Sequence, residues 1–305
     1  MVIDFRTRID TAIDPYSDSS SGAAPAAALA ASYESATQCV DAAVIVGERC
    51  DRLGRHVTAE TVADFVNQEP TRRVGFAAID ATADTVAEDI DRAIELGLSG
   101  LALAPADQNV RPTDDRCFHT LELAASKGMP VLIANPLLRS HPHSILEFAR
   151  PALLDEAART IKNLRLIFGD LDVFQDETFL MLTKHEHCFA EISAVAHTTW
   201  SLRQTLTNAY ERHAIDKLFL GSGFPDEKPG CLIERIYTIN GAAAAAALPV
   251  IPRRFIQGIV ERDAFNLVGI EHFAPPRQTR ENADDETTTI VTDAARRSLR
   301  APSAN

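Results

Sequence analysis

Arg6 and Arg8 close an apolar run, Val2-Ile-Asp-Phe-Arg-Thr-Arg-Ile9, with the character of a buried strand whose last residues break out at an opening. Asp4, Arg6 and Arg8 keep the spacing of an Asp-x-His-x-His metal strand, with arginines where the two histidines would stand. A guanidinium stays protonated at any ordinary pH and has no lone pair to give, so neither residue can ligate a metal. Such a fixed cation holds carboxylates instead, often bidentately. Two readings stay open: Arg6 and Arg8 pair with the chain's own Asp170 and Glu191 and plug a cavity, or they face a pocket and grip an anionic ligand. An uncompensated buried charge is costly, which favours the first. The two overlap, because an arginine held by a carboxylate can still present one edge to a ligand.

The elements that must carry these residues follow from hydrophobic patterning. After the first strand, Asp10 to Gly22 is a polar loop and the alanine-dense Ala23 to Cys39 reads as helix. Short apolar runs then recur at Asp41–Gly47, Val74–Ile79, Gly100–Pro105, Pro130–Asn135, Leu164–Gly169, Cys188–Ile192 and Lys217–Gly221. Between them lie helical stretches: one capped by Thr58 through Glu69, and one capped by Thr82 through Leu96. Others cover Thr113–Lys127, Ser144–Lys162 (opened by a Ser144-Ile-Leu-Glu147 capping box and broken at Pro151), Glu177–Lys184 and Trp200–His213. Glu227 onward, with the alanine run Ala242 to Ala247, closes the series, and a last helix over Pro252–Leu267 is expected to cover one end. Eight strands, each followed by a helix and with no Gly-x-Gly-x-x-Gly loop, predict an α/β fold, a closed (β/α)8 TIM barrel spanning residues 1–272. From residue 273 to 305 the chain turns polar and is expected to be disordered or to dock on a partner.

That topology sorts the remaining reactive side chains. His197, after the seventh strand, falls on the functional face and is the best general acid or base. His141 and His143 also lie there, but an x-Pro-x separation in a loop fixes no metal geometry. His185 and His187 precede the seventh strand, on the face that carries stability rather than chemistry. Ser222, between Gly221 and Gly223, lacks the flanking pattern of a nucleophile elbow. Trp200 reads as a core or interface anchor, and Asp226 and Glu227 as a loose cation site or solvated groups.

Several stretches together resemble the amidohydrolase-related TIM barrels, the branch of aminocarboxymuconate-semialdehyde decarboxylase and related hydratases. They are the first strand, Arg73-Val-Gly-Phe-Ala-Ala, Gly97-Leu-Ser-Gly-Leu-Ala-Leu-Ala-Pro105, Ala149-Arg-Pro-Ala-Leu-Leu-Asp-Glu-Ala-Ala158 and Phe219-Leu-Gly-Ser-Gly-Phe-Pro225, over about residues 1–270. The resemblance implies metal-assisted chemistry on small, often carboxylated compounds. Carried over by position, the two first-strand histidines fall on Arg6 and Arg8, and the fourth-strand lysine and histidine on Ala102 and Ala104. The fifth-strand histidine falls on Ala134, beside Asn135; the sixth-strand histidine on Asp170; and the eighth-strand aspartate on Gly223. Only Asp170 could touch a metal, and one carboxylate does not make a site.

The expectation is therefore a degenerate member without metal or other cofactor, a non-catalytic homologue with a structural, regulatory or small-anion-binding role. The alternative is a metal-independent hydrolase or decarboxylase acting on a small carboxylate, with Arg6 and Arg8 as clamp and Asp170 or His197 moving protons. A conventional metal enzyme recruiting His141, His143 and His197 would need three rearrangements at once. Arg6, Arg8, Asn135 and Glu191 are the expected ligand-binding residues, and a small carboxylate the expected ligand. A net charge of −13 argues against nucleic acid or an anionic membrane as partner. No run approaches the ~20 apolar residues of a membrane span. The core-like first strand argues against a leader, and five scattered cysteines without C-x-x-C spacing read as reduced thiols of a cytoplasmic protein. Self-association or a protein partner, through the outer helices and tail, completes the expectation.

Overall fold

The structure, a computed structural model, describes residues 1–9, 26–245 and 249–272. The polar loop, part of the alanine run and the tail from residue 273 lie outside them. Eight parallel strands follow one another around a single sheet: β1 Ile3–Thr7, β2 Ala42–Val46, β3 Arg73–Ala78, β4 Gly100–Leu103, β5 Val131–Ile133, β6 Leu166–Phe168, β7 Cys188–Glu191 and β8 Leu218–Phe219. The ring closes where the Phe5 amide donates to the Leu220 carbonyl at 2.7 Å and the Gly223 amide to the Arg6 carbonyl at 2.9 Å. This is the (β/α)8 TIM barrel that the alternation predicts.

Residues that alternate along each strand divide between two cores. Ile45, Leu101, Val131 and Leu166 pack outward against the helices. The helix Val86–Glu95 answers with Val86, Ile90 and Ala93, the spacing of one helical face. Ile3, Phe5, Val44, Phe76, Leu132, Ile167, Phe189 and Phe219 fill the barrel itself. Phe5 is its pivot, with ring centroids 5.8 Å from Phe76, 5.0 Å from Phe219 and 6.4 Å from Phe265. Burying one such ring contributes about 1.5–3 kcal/mol. The expected end-covering helix divides in two: Arg253–Glu261 packs Ile256, Ile259 and Val260 on the outer core, while Phe265 of Ala264–Leu267, with Val268 and Ile270, seals the floor.

The first strand is not regular. Asp4 pairs with Ala43 and Thr7 with Ile45, three steps on β1 against two on β2. This extra residue is a bulge, and it re-aims the side chains at the end of the strand. Phe5 lies inside the barrel, so unbroken alternation would turn Arg6 outward toward the helices; the bulge brings it back to the mouth. An antiparallel hairpin, Glu48–Cys50 with Arg55–Val57, is an addition that the patterning did not announce.

Candidate functional site

Arg6 crosses the mouth from β1 to the far wall. Its Nη1 donates to Glu191 Oε1 at 2.9 Å, to the Gly169 carbonyl at 3.1 Å and to Ser193 Oγ at 3.3 Å. Glu191, at the end of β7, is fully buried; its Oε2 accepts from the Ser193 amide at 2.7 Å and its Oε1 from Ser193 Oγ at 2.9 Å. Two glycines make room for this pair. A Cβ on Gly169 would stand 2.8 Å from Arg6 Nη1, and one on Gly221 would stand 2.3 Å from Glu191 Oε2. Burial alone would lower the Arg6 guanidinium, but Glu191 and Asp170 hold it above its ordinary value and charged. Burial pushes Glu191 up from the carboxylate range, against the pull of Arg6 and Ser193.

Arg8 is paired with Asp226, which is half exposed in the loop after β8. Asp170, after β6, accepts from both the backbone and the side-chain amide of Asn135 at 2.8 Å, with Arg139 Nη1 3.7 Å away. Asn135 itself is fully buried and accepts from the Ala106 amide at 2.8 Å, so it orders the loops and bears on the mouth only through Asp170. Burial pushes Asp170 up as well, opposed by Arg6 and Arg139. Of the two carboxylates expected to neutralise the arginines, Glu191 takes Arg6 while Asp170 takes Asn135 and Arg139; Arg8 is taken instead by Asp226, which the sequence reading left as a loose cation site or a solvated group.

Arg6, Arg8, Arg139, Asp172, Ser193, His197 and Asp226 line a common cleft of about 250 Å³. His197 is exposed at its rim. Glu191 and Asn135 are fully buried and absent from its lining. Arg139 was invisible to sequence reasoning: it belongs to an irregular loop after β5 and is identified only by its ion pair with Asp172 and its approach to Asp170. Ser193, two residues past β7, carried no signal either. His141 and His143 lie ring to ring, centroids 5.4 Å apart, but neither lines the cleft. Trp200 is not a core anchor; it is 71% exposed on the helix Thr199–Glu211, whose buried face is Leu202, Thr205, Leu206 and Ala209.

The resemblance implies a divalent ion held at the strand ends, and the side chains there do not fit one. Arg6 occupies the place with a permanent positive charge, Ala102, Ala104, Ala134 and Gly223 offer no donor, and Asp170 is engaged by Asn135. Among the described residues no group of three or more His, Cys, Asp or Glu side chains is placed to hold a metal ion. No helix among them is long and apolar enough to cross a membrane.

A profile of the family described as Amidohydrolase matches residues 11–256. No curated protein matches the chain. Among solved structures, a "probable 2-pyrone-4,6-dicarboxylic acid hydrolase" from Acinetobacter baumannii, with citric acid bound, superposes with a TM-score of 0.62 at 14% identity, over 88% of this chain and 99% of that one. The 5-carboxyvanillate decarboxylase of Sphingomonas paucimobilis gives 0.57 at 13% identity, again over 88% and 99%. A 2,6-dihydroxybenzoate decarboxylase from Rhizobium gives 0.54 at 14% identity, over 88% and 98%.

Proposed function

Because the chain belongs to the amidohydrolase family, we propose that it is a member whose metal centre has been replaced by an arginine–carboxylate cluster, and that its mouth binds a small carboxylate without turning it over by metal-assisted chemistry. The observation that carries this is the state of Arg6. Its Nη1 is tied to Glu191 and the Gly169 carbonyl, whereas its Nε and Nη2 make no hydrogen bond among the described residues, and the side chain lines an open cleft. One edge of the guanidinium fork is structural and the other is available, and a carboxylate is the partner that such an edge fits.

Two measurements test the reading. Elemental analysis of protein purified without chelator should show well below one equivalent of zinc or manganese, and a stoichiometric ion would end it. Thermal unfolding with millimolar acetate, propionate or citrate should show stabilisation by at least one of these anions. His197 in the same cleft supports a second reading, a metal-independent hydrolase or decarboxylase. Turnover of a small carboxylate that persists in chelator and disappears in His197→Ala would establish it in place of the first.

A further inference from the structure

We propose, resting on the carboxylate-binding reading above, that the ligand of this mouth is a short-chain aliphatic monocarboxylate, with its carboxylate on the open edge of Arg6 and its hydrocarbon end in an apolar slot beside that arginine. The mouth has two lobes. Next to the polar cleft lies a slot of about 30 Å³, and Arg6, Arg8 and Pro136 form the wall common to both. Glu48 and Arg49 line the slot, but it is walled mostly by apolar groups, Val46, Ala78, Ala102, Ala104 and Ala134 among them. Three of these are positions where the family resemblance places a lysine and two histidines, so removal of the polar ligands is what created an apolar surface there. A water-sized sphere needs roughly 10–15 Å³ on this scale, so the slot admits about two or three methyl-sized groups and no aromatic ring.

Charge limits the ligand as firmly as size. Three guanidinium groups, Arg6, Arg8 and Arg139, face four carboxylates, Glu191, Asp170, Asp172 and Asp226, so the mouth has no surplus of positive charge. What it offers an anion is hydrogen-bond donors, and the open edge of Arg6 has enough for one carboxylate. A second carboxylate on the ligand would enter either the slot, where Arg49 is already held by Asp51 and Asp89 and Glu48 adds a like charge, or the vicinity of Asp172 and Asp226, where it is repelled. A monoanion with a small apolar end meets neither penalty.

Calorimetric titration of the full chain with acetate, propionate, butyrate, succinate, citrate and benzoate tests this. Affinity should rise about fourfold per added methylene from acetate to butyrate, the gain that burying one such group provides. Succinate, citrate and benzoate should bind more weakly than butyrate. Ala102→Leu, or Ala104→Val if that variant does not fold, should erase the chain-length gain while leaving acetate binding in place. Tighter binding of benzoate, succinate or citrate than of butyrate, or a chain-length gain unchanged in the filled slot, overturns the inference and leaves the carboxylate-binding reading standing. No binding of any of the six overturns both.

Discussion

The Arg6–Glu191 contact is an ion pair with one member fully buried and the other nearly so, and such pairs are asymmetric in their energetics. Together they do little for net stability; singly, each leaves an uncompensated charge. Arg6→Met should therefore cost about 3 kcal/mol in urea unfolding, since it leaves the fully buried Glu191 without its cation. Adding Glu191→Gln, which keeps an acceptor for the Ser193 amide, should restore most of that loss. Losses that simply add would show that the two side chains do not depend on each other. The same asymmetry explains why the pair coexists with Ser193, whose backbone and hydroxyl engage both Glu191 oxygens.

At the scale of elements, the strand ends decide how the pair is seated. β6 and β8 both run on into glycine, Gly169 and Gly221, and any larger residue at Gly221 would collide with Glu191 Oε2. Gly221→Ala should displace the carboxylate and lower stability by about 1–3 kcal/mol, the usual range for overpacking a filled site. Because Gly230 lies in the first turn of the helix Pro229–Thr238 and a Cβ there meets only Cys39 Sγ at 3.5 Å, Gly230→Ala should leave stability unchanged or raise it, and equal losses in both variants would refute a local clash. Helix caps show where local rules hold. Thr58 caps its helix by accepting from the Thr61 amide, as its position predicts. Ser144 does not open a capping box, because its hydroxyl is engaged by the buried Asp107 carboxylate. Thr82 likewise bonds Asp80 rather than capping, and the helix begins at Val86. In both cases a carboxylate needing a donor outcompetes the local motif.

For the molecule as a whole, acidity and burial act in the same direction. Asp4, wholly buried at the seam between β1 and β8, accepts from the Ser222 hydroxyl at 2.6 Å and amide at 2.8 Å, and burial pushes it up to about 7. Asp107 is pushed up to about 6 by burial. Both folded-state values lie above the unfolded value near 3.8. Between these limits the folded chain holds protons that the unfolded chain has released, so stability is full below about pH 4 for these groups and falls as pH rises toward 7. The Asp4 contribution is on the order of 4 kcal/mol. Mutual repulsion in a chain of net charge −13 adds to the decline. Chemical unfolding from pH 4 to 8 should show this slope, flattened in Asp4→Asn, and an identical slope in the variant would mean that Asp4 is ionised throughout.

Local chemistry was legible in the residues alone. Period and propensity act over a few neighbours, so the alternation of eight strands and helices and the closed barrel were readable along the chain; that positions 6, 8, 102, 104 and 134 carry arginine or alanine where metal-binding side chains were expected came only from the family resemblance. Which carboxylate meets which arginine was not, because those partners lie far apart: Arg6 and Glu191 are separated by 185 residues, and Arg8 and Asp226 by 218. Only closure of the barrel brought them together, turned Arg6 inward through the bulge in β1, and drew Arg139 from an irregular loop into the mouth. The sequence settled which residue types stand at the mouth. Its new arrangement was decided by packing across the barrel, where a buried charge takes the partner that geometry places within reach.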